Sequence, residues 1–283
     1  MDFLAVDLLR AVVLGVIQGL TEFLPISSSA HLAIFPKFFG WDDPGAAYTA
    51  VIQIGTEVAV VLYFWRDIWT IGSGWLRGVF SPAARQLPEW RRGWFIIIGS
   101  MPIVLIGLLL EDFIDREFRN LWVIGVMLIA LGIVLGVAER VGRKTAPIDD
   151  LTWPHAVLFG LAQAAAVVPG VSRSGATISM GLFLGYTREA ATRYAFLLAI
   201  PAVVGAGVYK LKDIPGGENA YGWVPTIVGT LVAFVVGLAV IHWLLRYVST
   251  RSYLPFVAYR IGLGSLVLIL VGAGVITAST TVA

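Results

Sequence analysis

Residues 15–31 read GVIQGLTEFLPISSSAH. An apolar helical run carries Gln18 and Glu22, breaks at Pro25, and continues as Ser27, Ser28, Ser29, Ala30 and His31. Positions 18 and 22 are i, i+4, so they share one helix face just before the break. On the following helix Ser28 and His31 are i, i+3 and Ser27 and His31 are i, i+4, which places both hydroxyls within reach of the imidazole. A helix starting near Ser27 also presents unpaired N–H groups and the positive end of its dipole, a setting that binds anions. Residues 168–177, VPGVSRSGAT, repeat this plan with a cation. Gly170 and Gly175 would let the backbone approach a ligand. Ser172, Ser174 and Thr177 offer hydroxyls, and Arg173 offers a planar fork matched to phosphate oxygens. If the two breaks meet, they form a phosphate site with a base and a nucleophile. A divalent cation between Glu22 and the phosphates would offset the repulsion of like charges.

These residue types also have structural uses. A serine run after a proline can simply cap a helix, His31 can bond a carbonyl, and Arg173 can snorkel toward water. Glu22 is harder to explain that way, because a charge at bilayer depth costs at least about 2.5 kcal/mol. Gln53 and Glu57, one turn apart in a later span, either line the same cavity or pair with another helix. Arg260 reads as an interfacial anchor, Gln163 as a helix–helix hydrogen bond, and His155 and His242 as structural or interfacial groups.

The elements that must position these groups are apolar. The chain is 58% hydrophobic and 13% charged, with a mean hydropathy of +0.85. Soluble domains carry about 25% charged residues, so the composition predicts an all-α polytopic membrane protein. A net charge of +2 without a basic run gives no sign of nucleic acid, and the absence of cysteine excludes disulfide and thiol chemistry. The start, MDFLAVDLLR, has no basic n-region, so no cleavable signal peptide is expected. Residues 4–39 read as a re-entrant hairpin broken at Pro25, neither piece being a comfortable span, followed by spans at about 47–65, 94–110 and 121–139. A polar loop at 66–93 and an acidic loop at 111–120 separate them. The pattern then recurs: a hairpin at about 153–185, and spans at about 188–210, 223–247 and 255–277. Gly132/Gly136 and Gly181/Gly185 mark close helix contacts.

Residues 1–145 and 146–283 align at an offset of 145, with Gln18 on Gln163, Ser27 on Ser172, Ser28 on Arg173 and Ser29 on Ser174. One hairpin plus three spans per half makes the second half an inverted repeat, a plan shared with many transporters. The basic stretches at 66–93, 140–144 and Arg246/Arg251 predict a cytoplasmic side. Both termini and the loops at 111–120 and 211–222 are then outside.

The two motifs, GVIQGLTEFLPISSSAHL and PGVSRSGATI, with the RYAFLLAIPAVVGA run from Arg193, resemble the undecaprenyl-diphosphatase (bacitracin-resistance) family of bacterial membrane enzymes. The resemblance extends along nearly the whole chain. It implies a phosphatase of the bacterial inner membrane that converts undecaprenyl diphosphate to the monophosphate, recycling the lipid carrier for peptidoglycan synthesis. It implies Glu22, Ser28, His31 and Arg173 as catalytic residues, and a Mg²⁺ or Ca²⁺ requirement with Glu22 as ligand. Gln18, Ser27, Ser29, Gly170, Ser172, Ser174, Gly175 and Thr177 complete the expected substrate contacts. The site is expected to face the periplasm or cell exterior, and a homodimer is left open. The family often carries Glu where this chain has Gln18, which gives an E-x3-E pair. Here Glu22 would hold the carboxylate role alone or with another group. A carrier or flippase of a phosphorylated prenyl lipid is the rival reading. The type-2 phosphatidic-acid phosphatases are excluded, because their S-R-x5-H motif would need histidine at Ser179.

Overall fold

A computed structural model describes residues 3–41, 45–117, 120–210 and 221–279. Among the described residues the fold is all-helical, with only isolated bridges at Asn120–Ser279 and Ala146–Tyr186. The first half contains α1 (Phe3–Phe23), α2 (Ser28–Phe38), α3 (Gly45–Tyr63), α4 (Trp65–Phe80), α5 (Pro88–Glu117) and α6 (Leu121–Val141). The second contains α7 (Trp153–Ala164), α8 (Arg173–Phe183), α9 (Arg188–Lys210), α10 (Trp223–Thr250) and α11 (Leu254–Gly272).

Helices α5, α6, α10 and α11 are long and apolar enough to cross a membrane, as expected, and so is α1 over Leu4–Phe23. The α1 result corrects the reading that neither piece of the first broken pair reaches span length. Its first-half charges, Asp7 and Arg10, sit one turn apart and pair at 3.8 Å, and its other polar groups, Gln18, Thr21 and Glu22, are confined to its last two turns. Helices α3 and α4 are long and apolar enough as a bent pair, with 70° between them.

The expected polar loop at 66–93 is largely helical. Helix α4 is amphipathic: Gly74 packs on Glu89 and Gly78 on Trp90, while Trp65, Trp69 and Phe80 stay exposed. Such a helix suits a membrane interface. At the other side α5 runs on to Glu117, through most of the expected 111–120 loop; Asn120 caps α6, and residues 118–119 and the expected loop residues 211–220 lie outside the described residues.

The bundle is oily on its outer surface, and several strongly polar groups are set into its apolar interior. Leu105, Leu109, Val126, Ile133, Leu231 and Ile269 are exposed, whereas Gln18, Glu57, Gln163 and Arg260 are buried. The basic ends of several helices are tied together. Arg188 pairs with Glu139, Arg92 with Asp149, and Arg193 with Asp67.

Glycines set the helix contacts. Helix α1 packs on α10, where a Cβ at Gly15 would stand 2.4 Å from the Gly229 carbonyl oxygen. Helix α7 packs on α5 likewise, a Cβ at Gly160 falling 2.6 Å from the Gly99 oxygen. Gly132 and Gly136 face α11 and Gly181 faces Ala191, as their spacing predicts. Gly185 instead makes a turn at φ +89°. Gly15→Ile or Gly160→Ile should therefore destabilise the protein by about 1–3 kcal/mol or more through forced helix separation, read as a lower melting temperature in detergent. Gly72→Ala, with nothing within 4 Å, should cause no loss of stability.

Candidate functional site

Both broken helices stop in the same way. Ser27, ahead of α2, has φ 76°, and Ser172, ahead of α8, has φ 70°. A side chain in this left-handed range costs about 1–3 kcal/mol and persists only where the surroundings enforce it. The enforcing group is Arg260 of α11, which is fully buried. Its guanidinium donates to the carbonyls of Pro25 at 3.0 Å, Gly170 at 2.8 Å and Val171 at 2.9 Å. It also reaches Leu128 and Met127 on α6 at 3.2 and 3.4 Å. One arginine thus satisfies carbonyls that both breaks leave without helical partners. Ser174 adds a direct link, donating to the Leu24 carbonyl at 3.0 Å. The two motifs meet.

This corrects the expectation of an interfacial anchor for Arg260: a lone cation in an apolar span carries the same cost of charge that marks Glu22.

Glu22 lies at the centre. Its Oε1 accepts from Arg173 Nη2 at 2.6 Å, across the two halves of the sequence. Its Oε2 accepts from Ser28 Oγ at 2.6 Å and from Gln18 Nε2 at 3.0 Å. Gln18 also donates to Thr56 Oγ1 on α3 at 3.2 Å.

His31 behaves differently from the spacing argument. Its Nδ1 lies 2.7 Å from the Ser27 carbonyl, and its Nε2 lies 2.7 Å from the Tyr259 hydroxyl. A carbonyl only accepts, so Nδ1 carries the proton and Nε2 of the neutral ring accepts from Tyr259. The expected Ser–His contact is absent because Ser27 turns its carbonyl, not its hydroxyl, toward the ring, and Ser28 turns to the charged acceptor. Tyr259 also stacks on His31 at 5.6 Å between centroids, a contact with no local sequence signal.

The remaining predicted residues divide. Ser27 Oγ pairs with Ser29 Oγ, and Ser172 Oγ with Ser174 Oγ, each at 3.2 Å. Ser172 also caps α8 through the Gly175 N–H at 3.1 Å, whereas Ser27 makes no side-chain cap, so α2 keeps its N-terminal donors. Two glycines expected to admit a ligand admit protein instead. A Cβ on Gly170 would fall 2.8 Å from the Ile124 oxygen, and one on Gly175 would fall 2.8 Å from Arg260 Nη1. Thr177 is fully buried and donates to the Arg173 and Ser174 carbonyls, so its hydroxyl serves its own helix.

A cavity opens beside Glu22 and Arg173. Its polar wall adds Thr56, Glu57 and Ser174, and its apolar wall is Phe23, Val60, Phe196 and Val203. A charged and hydroxyl-bearing cluster thus borders an apolar surface.

The sequence profile described as bacitracin resistance protein BacA matches residues 11–266. The chain belongs to this family. The BacA match takes in both breaks, α3 and Arg260. Among its relatives, an undecaprenyl-diphosphatase of Nocardioides sp. is 66% identical over 96% of this chain and 100% of its own length. One of Micrococcus luteus is 57% identical over 95% and 99%. Undecaprenyl-diphosphatase 2 of Agrobacterium fabrum is 55% identical over 94% and 96%. The protein is a multi-pass membrane member of the BacA family.

Arg260→Met keeps the bulk and removes the donors. With each stranded buried carbonyl worth about 1–3 kcal/mol, the variant should lose at least about 3 kcal/mol of stability, read by thermal unfolding in detergent. Tyr259→Phe removes a single hydrogen bond and should lose about 1 kcal/mol.

Proposed function

We propose that this protein hydrolyses undecaprenyl diphosphate to undecaprenyl phosphate and inorganic phosphate, with Glu22, Ser28 and Arg173 as its catalytic residues and His31 positioning the turn that carries Ser28. The observation that carries this reading is the Glu22–Ser28–Arg173 cluster at the polar end of an otherwise apolar cavity. Membership of the BacA family, and relatives named undecaprenyl-diphosphatase over nearly their full length, supports it.

Ser28 Oγ attacks the terminal phosphorus and its proton passes to Glu22, its partner at 2.6 Å. The bond from that phosphorus to the bridging oxygen breaks, and undecaprenyl phosphate leaves. Water then cleaves the phosphoserine, releasing phosphate and restoring the hydroxyl. Arg173 shifts from Glu22 to the phosphoryl oxygens, where its fork and the uncapped N-terminus of α2 stabilise the charge. His31 does not take the Ser28 proton; it holds the Ser27 carbonyl and so the strained start of α2. Gln18 orients Glu22, and Ser27, Ser29, Ser172 and Ser174 contribute hydroxyls around the phosphates.

The donor set is all carboxylate and hydroxyl oxygen, which fits a hard cation such as Mg²⁺ or Ca²⁺. Among the described residues no three His, Cys, Asp or Glu side chains group as ligands, so substrate oxygens and water would complete the shell around Glu22. When bound, the cation supplies charge neutralisation for the diphosphate.

The proposal includes an inverted repeat of residues 1–145 and 146–283 with two re-entrant pairs, α1–α2 and α7–α8. Helices α2 and α8 begin 145 residues apart, and each follows a serine with positive φ. Gly15 and Gly160, the same distance apart, each meet a glycine of the opposite half. Basic helix ends near Arg92, Arg188 and Arg193 support a cytoplasmic side there, with both termini outside and the site open to the periplasm or exterior.

Purified protein should release phosphate from undecaprenyl or farnesyl diphosphate. Glu22→Ala, Arg173→Ala and Ser28→Ala should each lower the rate at least about 100-fold. Binding of the lipid without phosphate release would establish a carrier instead. Acid quench under slowed hydrolysis should trap phosphate on Ser28; release without any trapped phosphoserine would assign the attack to water.

A further inference from the structure

Glu57 is the charged residue of the cavity that the scheme above leaves unused. It sits on α3 directly after Thr56 and is 8% exposed. The other deeply buried carboxylates are paired: Glu139 with Arg188, and Glu22 with Arg173, Ser28 and Gln18. Glu57 has no hydrogen-bond or ion-pair partner among the described residues, and it faces the same cavity as Glu22, Arg173 and Ser174. The charges that act on it are those of Arg173 and Glu22. A carboxylate held out of water without a partner is costly, and a ligand in the cavity is the group left to meet it.

Position 18 gives the second argument. The amide of Gln18 donates to Glu22 Oε2 at 3.0 Å and to Thr56 Oγ1 at 3.2 Å. A carboxylate at 18 could donate to neither and would place a like charge against Glu22. In this chain the amide strengthens Glu22 as an acceptor and ties it to the residue next to Glu57. The charge absent from position 18 reappears on the neighbouring helix, across the same hydrogen-bonded bridge.

We infer that Glu57 is the second carboxylate of this site. Together with Glu22 it holds a divalent, oxygen-seeking cation against the diphosphate, in place of the carboxylate that an E-x3-E pair carries at position 18. Glu22 and Arg173 neutralise one another. A cation bound between Glu22 and Glu57 would favour the ionised form of Glu57 and give the diphosphate oxygens a positive partner. Two protein carboxylates with water and phosphate oxygens make up the shell that a small hard cation prefers. This inference rests on the diphosphatase reading for its substrate, but the cation site itself can be measured without substrate.

The experiment uses the full-length protein in detergent and Mn²⁺ as a paramagnetic probe, with free Mn²⁺ followed by electron paramagnetic resonance and Mg²⁺ or Ca²⁺ as competitor. Wild type should bind Mn²⁺ saturably. Glu57→Gln should weaken that binding at least about tenfold while keeping the wild-type melting temperature, and should raise the Mg²⁺ concentration needed for half-maximal phosphate release from farnesyl diphosphate. Gln18→Glu in the Glu57→Gln background should recover Mn²⁺ affinity, because it returns a carboxylate to the other side of the bridge. Unchanged Mn²⁺ binding in Glu57→Gln overturns the inference. So does failure of the double variant to bind better than Glu57→Gln, since a purely structural Glu57 would give that result. If Glu57→Gln does not fold, the double variant compared with wild type decides by the same affinity. Phosphate release by wild type with Mn²⁺ binding indifferent to Glu57 would leave the diphosphatase reading standing and remove this one. Mn²⁺ binding lost in Glu57→Gln, in a wild type that releases no phosphate, would do the opposite.

Discussion

Arg260 is the constraint on which the site depends. Two helices break inside an apolar bundle, and each break leaves carbonyls that cannot be given to water. A single buried guanidinium, entering from α11, accepts this task for both breaks at once through Pro25, Gly170 and Val171. Five donors in a rigid plane can serve carbonyls on several sides, which an ammonium on a flexible stem cannot do with the same geometry. The left-handed backbone at Ser27 and Ser172 is tolerable because the surrounding chain has nowhere else to go. Gly175, lacking a Cβ, makes the room that the guanidinium occupies.

With the breaks joined, Glu22 becomes the shared acceptor of the site. It takes a cation from the second motif, a hydroxyl from the first and an amide from its own helix. Each donor is charge-assisted by the carboxylate, so each bond is stronger than its neutral counterpart. This arrangement also explains why His31 stands apart from Ser28. The carboxylate outcompetes the imidazole for the hydroxyl, and the imidazole is left to secure the turn through the Ser27 carbonyl and Tyr259.

Much of this was legible in the sequence because a bilayer makes polar residues conspicuous. Glu22, Ser28, Arg173 and the repeat partners at 27 and 172 stood out against an oily background, and all of them fall at the joined breaks. The glycine and threonine contacts differ from expectation for a simpler reason. Whether a missing side chain makes room for a ligand or for protein depends on what approaches from another helix, and nothing within VPGVSRSGAT says that Ile124 and Arg260 do. Helix α4 is not the loop that its arginines suggest, because its apolar face packs on α5.

By itself the sequence determined the solvent, the helical class, the position of both breaks and the residue types of the site, since these follow from hydropathy, from proline and glycine, and from the high free energy of charge in hydrocarbon. Only the tertiary structure decided the pairing: Ser28 with Glu22 rather than His31, Arg260 with both breaks rather than with an interface, and Glu57 with the cavity rather than with another helix. Spacing along a helix tells which residues share a face. It carries no information on which face of a distant helix, more than two hundred residues away in the case of Arg260 and Pro25, will be brought against it.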